Sequence, residues 1–116
     1  MNWIIDYYET ESGKTPAYDF INNLPLNMRT KAFKELEILE EMGTAVTMPY
    51  SKPIRDGVFE LRIQFASDIS RVFYFFYVGN RIILTNGFVK KAKKTPPFEI
   101  EKALKYKADY ERRFSK

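Results

Sequence analysis

Basic residues in the second half of the chain are the ones whose types and spacing best suit chemistry. Arg62 lies in an alternating segment and Arg71 opens an apolar one. A run of four lysines follows: Lys90, Lys91, Lys93 and Lys94. Arginine presents a planar fork of donors that fits phosphate oxygens, and crowding lowers a lysine pKa until the group can act as an acid or base. Such groups suit cleavage of RNA by its own 2′-hydroxyl; strand-end charges and a solvated loop are the plainer alternatives.

Two absences from the composition restrict the chemistry further. The chain has no histidine and no cysteine, which excludes disulfides, thiolate metal sites and the usual general base. It also has no glycine-rich phosphate loop and no G-x-S-x-G motif. The acidic residues show no metal-ligand spacing. We therefore expect neither a metal nor an organic cofactor.

Charge is distributed unevenly along the chain. Residues 1–50 carry four basic and eight acidic side chains, whereas residues 51–116 carry fifteen basic and seven acidic ones. A basic half favours a polyanionic partner, most often nucleic acid, although a basic surface can also serve solubility alone. The 116 residues suit one domain, 1–116, and no signal peptide or membrane-spanning stretch is evident. A cytoplasmic protein is expected.

The first half of the chain predicts one strand and a helical hairpin. Residues 3–8 are apolar and aromatic, as in a short strand. Thr15 and Pro16 are typical of a helix start, with the threonine hydroxyl as cap, and this short helix should reach Leu24. Met28, Ala32, Phe33, Leu36 and Leu39 form the apolar stripe of a second helix over residues 26–42.

The second half predicts three antiparallel strands and a last helix. Residues 58–65 alternate, which predicts a strand with one buried face and Glu60, Arg62 and Gln64 on the polar side. Residues 72–78 and 81–89 follow as strands, and residues 98–114 as a helix. The fold class is therefore α+β, in the order β-α-α-β-β-β-α, with a small, mostly antiparallel sheet of about four strands.

The predicted turn at Gly79-Asn80 determines which residues meet across the last two strands. A two-residue turn places Val78 opposite Arg81 and Arg71 opposite Phe88, close to the lysine run. Since Arg62 points from the polar side of the neighbouring strand, we expect the cations to converge at one end of the sheet.

Five segments resemble one known family. Residues 53–62, PIRDGVFELR, resemble the pLrdGlfElR signature of phage-derived HigB-like toxins in the RelE superfamily. Residues 71–74 resemble the yRvlYf strand of that family, and residues 87–96 resemble its hgFvKKtqktP segment. Residues 15–20 and Met42-Gly43 fit as well, so the resemblance covers nearly the whole chain in order.

The resemblance implies a RelE-like, microbial-RNase-like fold and a ribosome-dependent mRNA endonuclease, the toxin of a toxin–antitoxin system. Its implied partners are the ribosome, mRNA and a cognate helix-turn-helix antitoxin of the HigA kind. By position it implies catalytic roles for Arg71, Arg62, Lys90 and Lys91. It implies auxiliary RNA contacts for Lys52, Arg55, Lys93 and Lys94. Asn86 departs from the family, because many relatives have histidine there, and the general base is therefore open.

Two other functions fit the same residues. ParE-like proteins share the fold and poison DNA gyrase, although the ELR and KK motifs favour the RNA-directed branch. A relative that has lost catalysis would act only through antitoxin binding and transcriptional control.

Overall fold

Three helices and five strands form an α+β structure in the part of the chain that the computed structural model describes, residues 2–91 and 93–114. The α+β class is as predicted. The elements in chain order are β1 (Ile4–Tyr7), α1 (Pro16–Asn22), α2 (Leu26–Met42), a 3-10 turn (Gly43–Ala45), β2 (Ser51–Arg55), β3 (Val58–Phe65), β4 (Asp68–Tyr77), β5 (Arg81–Val89) and α3 (Pro97–Phe114).

The sheet is mixed, with the spatial order β1-β5-β4-β3-β2. β1 pairs with β5 in parallel, and the other three pairings are antiparallel. The predicted sheet of four strands and its element order are wrong, because β2 was missed. Pro53 interrupts this segment, but β2 is an edge strand, where the missing N–H of proline is tolerated. Asp56 and Gly57, both at positive φ, form the β2–β3 turn.

The two faces of the sheet are covered by different helices. Helices α1 and α2 cover the face that carries Leu61, Ile63, Val72, Tyr74, Ile82 and Leu84. Helix α3 covers part of the other face, where its Ala103 and Tyr110 join Val58, Phe73, Phe75, Ile83 and Phe88. β3 therefore has buried residues on both sides, and the expectation of one buried face is wrong. Phe65, expected inside, is 42% exposed, because it ends β3 and lines an open groove beside the start of α2.

The two helices of the hairpin differ from prediction in detail. α1 ends two residues before the expected Leu24, and the Thr15 hydroxyl contacts Asp19 rather than capping a backbone N–H. α2 begins and ends as predicted, but Phe33 is 42% exposed and Glu35 only 6%. Position 35 continues the helical spacing of residues 28, 32 and 39, whereas position 33 lies beside it. No helix in the described residues is long and apolar enough to cross a membrane.

The β4–β5 hairpin contains two features that change the strand register. Its loop has three residues, so Tyr77 rather than Val78 pairs with Arg81, and the predicted turn is wrong. A bulge lies farther along, where Phe73 alone faces two residues of β5, because Val72 pairs with Gly87 and Tyr74 with Leu84. The extra residue compensates for the longer loop. Arg71 therefore does pair with Phe88.

The bulge also decides which way the end of β5 faces. Before it, Ile82 and Leu84 contact the α1/α2 core and Ile83 the α3 side. After it, Phe88 lies on the α3 side. One inserted residue reverses the alternation of a strand. Phe88 and the following Lys90 are thereby directed to the face that carries Arg71.

Candidate nucleic-acid interface

Neighbouring strands place four cations together at one end of the α3 face. Arg62 of β3 pairs directly with Arg71 of β4, and Lys52 of β2 pairs with Glu60 of β3. The backbone N–H of Lys90 donates to the Ile69 carbonyl at 2.9 Å, which brings the end of β5 beside β4. We call Lys52, Arg62, Arg71 and Lys90 the cationic cluster.

Arg71 is the most buried member of the cationic cluster. It is only 8% exposed, and its Nη1 lies 3.3 Å from Glu60 Oε1. Burial lowers the pKa of the guanidinium, Glu60 raises it, and the like charge of Arg62 lowers it. The Nε atom of Arg71 is buried without a hydrogen-bond partner among the described residues. The surroundings hold this guanidinium in place without using all of its donors.

Glu60 is the acidic residue at the centre of this arrangement. Its side chain is fully buried, and the Thr95 hydroxyl donates to Oε2 at 2.5 Å. Its other oxygen faces Arg71. A buried carboxylate is energetically costly unless it is paired. Both oxygens of Glu60 face partners, and these contacts link β3 to β4 and to the segment before α3.

Lys90 stands out among the lysines because its environment shifts its acidity. Burial lowers the pKa of its ammonium, and the charges of Arg71, Lys52 and Arg62 lower it further. Glu60 acts in the opposite direction. A lysine with a lowered pKa carries a larger neutral fraction at a given pH, which favours proton transfer to and from it.

The other lysines of the run lie in the loop after β5, which we call the basic loop (residues 90–94, with residue 92 outside the described part). Lys91, Lys93 and Lys94 are all exposed. Ile69, Lys90, Lys91 and Lys93 line a shallow depression. The basic loop therefore extends the positive surface outward from the cationic cluster.

Arg55 is held away from the cationic cluster. Its guanidinium forms a hydrogen-bonded ion pair with Glu101 of α3, and both side chains are more than half exposed. Of the eight predicted site residues, four form the cluster and three extend it through the basic loop. Arg55 alone is engaged elsewhere.

Asn86 and the tyrosines of α3 have roles in packing. Asn86 is buried at the bulge, where it accepts a hydrogen bond from Thr85 at 2.8 Å and donates one to the Glu99 carbonyl at 3.3 Å. Tyr106 stacks on Tyr8, and Tyr110 packs edge-on against Phe75. These contacts fasten α3 to the sheet.

The chain matches the model of a protein family. The model of the family described as phage-derived protein Gp49-like (DUF891) matches residues 19–108, more than half of the chain. The chain belongs to this Gp49-like family. The family is toxin-like and related to RelE and HigB, which agrees at that coarse level with the resemblance seen in the motifs. No curated protein matches the chain significantly.

Sequence reasoning missed two side chains of the site in this Gp49-like protein. Glu60 was placed on the polar side of its strand but not in the site, and Thr95 was not singled out. A signal was present, since Glu60 and Arg62 are two residues apart on a strand and therefore share a face. The contact between Thr95 and Glu60 joins residues 35 positions apart, and no local pattern in the sequence indicates it.

The Gp49-like site is suited to binding phosphate. Two arginines offer directed donors for its oxygens, and two lysines add positive charge. Among the described residues, no group of three or more acidic side chains is placed to hold a metal ion.

Proposed function

We propose that this Gp49-like chain is a toxin of the HigB branch that cleaves mRNA on the ribosome and so inhibits translation. The observation that carries the proposal is the convergence of Arg62, Arg71, Lys52 and Lys90 at one end of the sheet. Translated mRNA as substrate implies a cytoplasmic site of action. A helix-turn-helix antitoxin of the HigA kind completes the proposed system.

The proposed reaction is transfer of the phosphodiester to the neighbouring 2′-hydroxyl. The 2′-oxygen loses its proton and attacks phosphorus, the bond from phosphorus to the 5′-oxygen breaks, and the leaving oxygen takes up a proton. The products are a 2′,3′-cyclic phosphate and a 5′-hydroxyl. Arg71 and Arg62 stabilise the charge on the phosphorane, a contribution of roughly 10²–10³ in rate per donor group in other enzymes.

Lys90 is the proposed proton carrier in this reaction. It lies beside Arg71 and has a lowered pKa, so its neutral form can accept the proton of the 2′-hydroxyl. Lys91 is the alternative that the sequence left open, but its side chain is exposed. The residue that protonates the leaving oxygen is left open by the arrangement.

The proposed dependence on the ribosome concerns the alignment of the RNA strand. A set of cations can neutralise phosphate but does little to align a flexible single strand, and alignment contributes up to about 7–11 kcal/mol to catalysis. In the proposed function the ribosome supplies that alignment by holding the codon. Purified protein should therefore leave naked RNA intact while cleaving mRNA on programmed ribosomes.

The decisive experiment compares the wild type with Arg71→Ala under a tightly controlled promoter, followed by mapping of mRNA 5′ ends. The matched control is Arg81→Ala, an arginine at the start of β5 that pairs with Asp6 roughly 20 Å along the sheet from Phe88. Wild type and control should arrest growth and produce cuts in translated regions, and Arg71→Ala should not. Circular dichroism checks the folding of all three.

The other outcomes identify the competing functions. Growth arrest with intact mRNA and gyrase-dependent DNA cleavage would replace the proposal with a ParE-like gyrase poison. Normal growth on expression of folded wild type would leave a relative that acts through antitoxin binding and transcriptional control.

A further inference from the structure

The buried carboxylate of Glu60 contacts two parts of the cationic end that are distant in sequence. One oxygen faces the Arg71 guanidinium of β4 at 3.3 Å, and the other accepts the Thr95 hydroxyl at 2.5 Å. Lys90 is the first residue of the basic loop, and Thr95 directly follows its last residue. The basic loop is therefore anchored at one end by β5 and at the other by Glu60.

The geometry suggests that the contact has more than a stabilising role. A charge that is fully buried is unfavourable unless several partners surround it, and an apolar pair of similar volume commonly serves stability as well or better. Glu60 has no direct access to solvent, so it cannot itself touch a substrate phosphate. Its two partners, in contrast, both belong to the positive surface or to the segment that carries it.

We propose that Glu60 is a positioning residue, which orients Arg71 and, through the Thr95 hydroxyl, anchors the end of the basic loop that precedes α3. The inference rests on the proposed function and adds to it the means by which strand and loop cations are kept in one arrangement. Without the Thr95 contact, Lys90 would keep its backbone bond to Ile69, but the lysines after it would lose their second anchor.

The first test uses two substitutions of Thr95 that differ in one group. Thr95→Val removes the hydroxyl and keeps the shape, whereas Thr95→Ser keeps the hydroxyl and removes the methyl group. Loss of a hydrogen bond to a charged group should raise the population in which residue 95 is detached from Glu60 about tenfold. We expect tryptic cleavage within the basic loop to accelerate by up to that factor in Thr95→Val and to stay near wild type in Thr95→Ser.

The same pair should differ in turnover on programmed ribosomes. Thr95→Val is expected to lower kcat by up to about tenfold, with Thr95→Ser close to wild type. Tryptic cleavage of both variants at the wild-type rate would overturn the anchoring role. So would acceleration by the same factor in both. Tryptic cleavage of the loop can be measured without nuclease activity. A wild type that cleaves no mRNA would therefore refute the proposed function, and the tryptic comparison would still test the role of Glu60.

The second test removes the charge of Glu60. Lys90 is surrounded by Arg71, Lys52 and Arg62, which lower its pKa, and by Glu60, which raises it. Glu60→Gln should therefore move the limb of the pH–kcat profile that belongs to Lys90 to lower pH. The control is Glu101→Gln, the same change at the exposed pair with Arg55. It should leave the profile unchanged.

The pH readout separates positioning from general stability. A variant that only unfolds more easily loses amplitude at every pH, and its profile keeps its midpoint. An unshifted midpoint in folded Glu60→Gln would overturn the claim that Glu60 keeps Arg71 and Lys90 in one arrangement. If Glu60→Gln does not fold, the Thr95 pair alone decides, because it leaves the Glu60–Arg71 ion pair intact.

Discussion

On the face covered by α1 and α2, β3 contributes Leu61 and Ile63, whereas on the face covered by α3 the same strand contributes Val58, Glu60 and Arg62. The first face is apolar along its length. The second changes from an aromatic core at Phe73 to charge at Arg71 within two residues. The difference leads us to expect most of the packing stability of the sheet from the first face, whereas the second presents polar groups at its end.

The largest effect on stability is expected on the α1/α2 face. Leu61→Ala should lower the free energy of unfolding by roughly 2–5 kcal/mol, because Leu61 is fully buried and its truncation leaves a cavity. Urea denaturation measures the change, and mRNA cleavage per folded molecule should persist. The exposed Gln64→Ala on the same strand is the control. A loss below about 1 kcal/mol would show that this face is not the main source of stability.

On the α3 face, an effect of comparable size should depend on whether one or both members of the buried pair are replaced. Arg71→Met alone leaves Glu60 as an unpaired buried charge and should lower the free energy of unfolding by roughly 3–5 kcal/mol. The double variant Glu60→Leu with Arg71→Met should recover most of that loss. Both variants should lose mRNA cleavage by about 100-fold or more.

Thermal and urea denaturation of the three proteins provide the measurement. Failure of the double variant to recover, with both proteins folded, would mean that the ion pair stabilises the protein more than an apolar pair can. The contrast drawn between the two faces would then be wrong.

Lys90 should give the α3 face a pH dependence that the α1/α2 face lacks. Because its pKa is lower in the folded than in the unfolded chain, the unfolded chain binds more protons between the two values, and stability due to this residue rises with pH there. Lys90→Met should therefore be stabilised relative to wild type near pH 7, with the advantage shrinking toward pH 10.5, the ordinary pKa of lysine.

The measurement is urea denaturation of wild type and Lys90→Met at both pH values and at two salt concentrations. Added salt should reduce the advantage at pH 7, since part of it comes from repulsion by neighbouring cations. An advantage that is constant in pH and salt would point to packing instead.

The smallest effect is expected at Arg55. Its ion pair with Glu101 is exposed, so Arg55→Ala should change the free energy of unfolding by about 0–1 kcal/mol. Cleavage of mRNA on ribosomes should fall by less than about threefold, in contrast to Arg71→Met. A loss as large as that of Arg71→Met would place Arg55 in the cationic cluster during the reaction.

Local patterns were sufficient to predict most elements and failed at particular residues. The alternation in residues 58–65 and the stripe in residues 26–42 predicted β3 and α2 with the bounds that the structure has. β2 was missed because Pro53 argues against a strand unless the strand is known to lie at an edge. Position at an edge is a property of the sheet and not of the segment.

The pairing of Arg71 with Phe88 was predicted correctly, but from a turn that the structure does not have. The assumed two-residue turn has three residues, and the bulge opposite Phe73 restores the pairing by one residue. Asn86-Gly87 is a local signal for a bulge, since glycine inside a strand often marks one. Its effect on the register depends on how the two strands fit together over their whole length.

The sequence by itself determined the kinds of elements, the positive charge of the second half and the absence of histidine and cysteine chemistry, because periodicity and composition are local properties. Tertiary structure alone decided that Glu60 is buried, that Thr95 reaches it, and that a bulge opposite Phe73 keeps Arg71 paired with Phe88. Each of these depends on contacts between residues far apart in the chain. Such contacts form only when strand register, bulge and loop closure are satisfied together.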